Sequence, residues 1–157
     1  METNEYLLEA REELKRLEHI IYVSLKYTRT TDVIINALTR LVSVFDLIIE
    51  AYLEKAKVEG LISALPKSPA LRGTRLSELY PDDKELQNFM TFYAYLKVIL
   101  KSPYNRREEF RRHVTVIVEL DKCTAEVDID CLVNYERFVR KFLIYAYHKV
   151  EGRPEEE

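Results

Sequence analysis

The residues best suited to chemistry in this chain lie between Lys101 and His113, in the run KSPYNRREEFRRH. Lys101, Arg106, Arg107, Arg111 and Arg112 stand against Glu108 and Glu109, five positive charges to two negative, a local net charge of +3. Neighbouring guanidinium groups meet phosphate oxygens through paired N–H donors. Tyr104 and Phe110 are interleaved with them, and a following hairpin could rest on a nucleic-acid backbone as a wing. These five basic residues are therefore candidate nucleic-acid contacts. The same spacing also suits a solvated helix, with Arg and Glu side chains in surface pairs of small energetic value.

Arg107, five intervening residues and then His113 resemble the Arg-x4–6-His pair of the HEPN family of helical-bundle proteins. The resemblance covers about 13 residues and a loosely similar helical bundle. It implies a metal-independent ribonuclease centre, usually built across a dimer. On this chain it implies that Arg107 stabilises phosphate charge and that His113 acts in proton transfer.

Elsewhere the residues suggest little chemistry. Asp46 and Glu50 lie four apart on one helical stripe, but no Glu-x-x-His motif faces them, so solvated charge is expected and no metal. His19 reads as a surface histidine, and His148 as a charge near a helix C-terminus. Cys123 and Cys131 match no zinc spacing and are expected as buried free thiols, Cys123 on an apolar hairpin face. With three glycines in the chain there is no Gly-rich phosphate loop, and no nucleophile elbow is present. No cofactor is expected.

Composition bounds the setting. The 157 residues are 47% hydrophobic and 32% charged, which fits one globular domain. A net charge of −3 gives no general affinity for nucleic acid, so any such binding has to be local. Charged residues interrupt every apolar run before it could span a bilayer, and the N-terminal METNEYLLEAREE is acidic where an export signal is basic and then apolar. A cytoplasmic protein with no membrane partner is expected. One Gln and five Asn beside 51 charged residues lean towards a thermophile.

Hydrophobic periodicity supplies the scaffold. Leu7, Ala10, Leu14, Leu17, Ile21 and Leu25 mark a helix over about 3–27. A second, over about 32–59, carries two seams, one through Ile34, Leu38, Leu41, Phe45, Ile48 and Tyr52, the other through Ile35, Val42, Ile49 and Ala56. One bundle core normally consumes one broad stripe, so the second seam is a candidate interface unless this helix is central. Residues 60–81 read as a connector, either a packed loop with a short helical turn near 74–79 or a mobile, functional segment. A third helix runs from about Asp83 to Lys101, Ser102-Pro103 opens a short basic helix to about Arg112, and a last helix covers about 131–150.

Between these helices, HVTVIVELDKCTAEVDID reads as a β-hairpin turning at Asp121-Lys122. That register sets Val118 opposite Ala125, Val116 opposite Val127 and Val114 opposite Ile129, all apolar, over a largely polar reverse face. The expected fold is mainly α: a four- or five-helix bundle with one inserted hairpin at about 113–129, in one domain over 1–152 with a disordered acidic tail at 153–157. The expected function is non-enzymatic interaction or assembly, as a homodimer. The alternatives are nucleic-acid binding through residues 101–113 and the hairpin, or an HEPN-like ribonuclease.

Overall fold

A computed structural model describes residues 2–152 of the chain. The tail expected at 153–157 lies outside the described residues. Among those described are five principal helices and a small antiparallel sheet. Helix α1 spans Thr3–His19, widens into a π-helical turn at Ile20–Ser24 and closes with one α turn, Leu25–Tyr27. Helix α2 is Thr31–Val58, α3 is Pro69–Leu79, α4 is Lys84–Lys101 and α5 is Ile129–Ala146, the last ending in a second π turn at Tyr147–Glu151. Local chemistry starts three of these helices: the side chains of Thr30, Asp83 and Asp128 accept from the backbone N–H of Val33, Leu86 and Cys131. None is long and apolar enough to cross a membrane.

Helix α2 is central. It packs against α1, α3, α4, α5 and strand β2, introduced below, and so buries residues around most of its circumference. At its middle Phe45 meets Phe142 with ring centroids 5.4 Å apart, and Phe142 stacks on Phe89 at 4.6 Å, joining α2, α4 and α5. This placement changes the reading of the second seam. Ile49 and Ala56 are fully enclosed by the chain's own helices, and Ile35 and Val42 are half-buried against the same core. The seam is mostly core, because α1 and α5 cover a face that heptad spacing alone leaves unassigned.

The sheet orders β1 (Tyr104–Arg107), β2 (Thr115–Glu119) and β3 (Thr124–Val127), all antiparallel. The hairpin register is the expected one, with Val116 opposite Val127 and Val118 opposite Ala125, and Leu120 N–H donating to the Cys123 carbonyl across the turn. Val114, Val116, Val118 and Val127 are fully buried. Ile129 leaves the pairing, because the Asp128 cap begins α5 there.

Three expectations are corrected. The basic helix after Ser102-Pro103 is instead strand β1, whose N–H and C=O groups complete the open edge of β2. The connector is more ordered than a short turn: α3 has Pro69 in its first turn and packs Gly73 against Tyr93, where an added Cβ would sit 3.0 Å from the ring. Cys123 also departs from its expected burial. It is exposed at the hairpin tip, beyond the reach of the helices, and Cys131 is half-buried; both thiols are free.

Candidate functional site

Between β1 and β2 the chain makes a tight turn over residues 108–112 that docks on the loop between α1 and α2. Phe110 N–H donates to the Arg29 carbonyl at 2.7 Å. Glu109 Oε1 accepts from both the N–H (3.0 Å) and the hydroxyl (2.5 Å) of Thr31, a fully buried residue opening α2. Those two hydrogen bonds hold the Glu109 carboxyl below its ordinary range. The turn itself is strained, since Glu108 and Phe110 both have positive φ, 54° and 66°. For non-glycine residues, a bulky aromatic above all, such backbone persists only where its surroundings enforce it.

This docking sorts the basic segment into committed and uncommitted charges. Arg106 reaches Asp32 at 3.4 Å and Glu109 at 4.0 Å. Arg107 pairs with Glu126 over the outer face of the sheet, where Thr115 lies buried in the middle strand. Lys101 ends α4 and lines a different cavity, with Tyr93 and Lys97. Arg111 and Arg112 are exposed, and among the described residues neither side chain has an ion-pair or hydrogen-bond partner.

The sequence-predicted pair is not brought into one site by any contact. Arg107 sits in a strand and engages Glu126, whereas His113 faces a cavity of about 190 Å³ whose lining includes Arg112, Lys26, Arg29 and Asp128. The cationic neighbours of His113 thus come from the end of α1 and the turn, and Lys26 and Arg29 were not among the candidates. The Nε of Arg29 is buried and has no hydrogen-bond partner within the protein. Two large exposed aromatics adjoin its lining residues in the chain: Phe110, at 77% of full exposure, two residues before Arg112, and Tyr27, at 84%, next to Lys26. Tyr27 lies two residues before the Arg29 carbonyl that anchors Phe110.

The other titratable groups form structural pairs. Asp46 is not solvated: it accepts from the Tyr93 hydroxyl at 2.5 Å, and burial pushes its carboxyl up despite that bond. Glu50 pairs with Arg72. His19 and His148 are exposed. Among the described residues, no three His, Cys, Asp or Glu side chains converge as a metal site. Comparison of the chain with protein-family models, curated proteins and solved structures found no match.

Proposed function

We propose that the protein is a non-enzymatic binding protein that takes single-stranded nucleic acid on the corner formed by the α1–α2 loop and the 108–112 turn. The observation that carries this is that the two segments joined by the Phe110 N–H to Arg29 carbonyl bond bear two highly exposed aromatic rings, Tyr27 and Phe110, and the unpaired cations Arg111 and Arg112. Exposed rings beside free guanidinium groups suit stacked bases and backbone phosphates, which single strands present together. Strain at Phe110 supports the same reading, because the backbone holds in solvent a ring that burial would otherwise favour.

The test is fluorescence anisotropy with a labelled single-stranded RNA over graded salt. Affinity falls linearly with salt on logarithmic axes, and Arg111→Ala flattens the slope by about 0.7. Phe110→Ala weakens binding by roughly 1–3 kcal/mol and leaves the slope unchanged, since stacking releases no counterions. No binding at low salt overturns the proposal.

A second reading, self-association, draws on Tyr22, Val23 and Ile144, which leave apolar surface exposed on α1 and α5. It no longer draws on the second seam of α2. Light scattering coupled to size exclusion reads it directly: a mass twice the 18.6 kDa of the chain supports a dimer, and the monomer mass removes it.

A further inference from the structure

The cavity behind the corner has a chemistry of its own. Its walls bring Lys26 and Arg29 from the end of α1 towards Arg112 and His113 from the turn, over a floor that includes the buried Ile21 and Leu25. The opposite wall is the start of α5, with Asp128 and Asp130. Asp128 is already engaged, its Oδ1 accepting from Cys131 N–H at 2.9 Å as the helix cap. Among the described residues Lys26, Arg29 and Arg112 have no carboxylate within ion-pair distance, so three cations face the cavity without direct partners. A cavity lined by three cations, none of them paired with a carboxylate, is a favourable setting for an anion.

Resting on the single-strand reading above, we propose that this cavity seats the terminal phosphate monoester of the bound strand. Charge and direction both select an end over an internal linkage. A monoester approaches two negative charges at neutral pH and gains more from three cations than the single charge of a diester. A strand threading onward past the cavity would carry its next phosphates against Asp128 and Asp130, where like charges repel. Arg111, Phe110 and Tyr27 instead adjoin the cationic lining residues in the chain, next to Arg112 and Lys26. The strand therefore begins or ends in the cavity and leaves across the exposed aromatics.

The experiment uses the full chain and one RNA sequence in three forms: hydroxyl at both ends, phosphate at the 5′ end only, and phosphate at the 3′ end only. Anisotropy at fixed salt and pH 7.5 should show one phosphorylated form binding at least about tenfold tighter than the hydroxyl form, the equivalent of one charge-assisted contact. Lys26→Ala and Arg112→Ala, both exposed positions, should bring that ratio towards one. Equal affinity for all three RNAs overturns this inference and leaves the single-strand reading standing. So does a preference that survives both substitutions, since the phosphate then sits elsewhere. No binding of any form overturns the single-strand reading itself.

Discussion

Glu109 is the latch of the corner, and removing it gives the sharpest test of how the turn is held. Its carboxylate accepts two hydrogen bonds from Thr31 and lies at the positive end of α2, where the first backbone N–H groups lack helical partners. A hydrogen bond to a charged group contributes about 1.5–3 kcal/mol, and an anion at a helix N-terminus about 0.3–1 kcal/mol. The two bonds share one acceptor and do not add fully. With the side chain one-quarter exposed, Glu109→Ala should cost about 2–4 kcal/mol, part of it from stranding the buried Thr31 hydroxyl. Urea unfolding by linear extrapolation measures this, and Thr31→Val closes a double-mutant cycle whose coupling isolates the pair. The pH dependence has a fixed sign. The folded carboxyl titrates below its unfolded value, so its contribution is full above the ordinary Glu range and fades as pH falls through the depressed value. Glu109→Ala should therefore lose least at low pH. A variant within about 0.5 kcal/mol of wild type at pH 7, an ordinary surface effect, would refute the latch.

Two further outcomes bear on the scaffold. Val116→Asp places a charge in a fully buried site between the sheet and α2 and should cost several kcal/mol; a melting temperature within a few degrees of wild type would refute that burial. Arg140 pairs with Glu136, which is buried to 1% exposure, and with Glu18 at 3.0 Å, so Arg140→Ala should cost about 3 kcal/mol at pH 7 by leaving a buried carboxylate without its cation. Urea unfolding at pH 7, by linear extrapolation, measures that loss.

The hairpin register was legible because alternation has a period of two and every apolar residue of one face fell on the same side. Strand β1 was not. Ser102-Pro103 followed by Arg and Glu carries real helix-start signals, and only the open edge of β2, some ten residues further on, overrides them. Helix α3 hid behind Gly73, whose lack of a side chain weakens a helix in isolation but admits the Tyr93 ring in the fold. The candidate corner was half legible. Arg111, Arg112 and His113 stand out as a basic run, but Lys26 and Arg29 join them through hydrogen bonds between positions nearly 80 apart, Thr31 to Glu109 among them. No local pattern announces a contact of that range.

The π turn at Ile20–Ser24 has a consequence for which changes the chain can absorb. It holds one residue more than an α-helical path would, and each residue of helix turns the chain by about 100°. Deleting a residue there would leave a respectable α-helix yet spin everything beyond it relative to Leu7, Leu14 and Leu17, which stay seated in the core. Leu25, Lys26 and Arg29 would then point elsewhere, and the loop that receives Phe110 would be misaligned. The turn works as an indexing notch between a packing surface and the residues downstream of it. At these five positions the number of residues matters more than their identity.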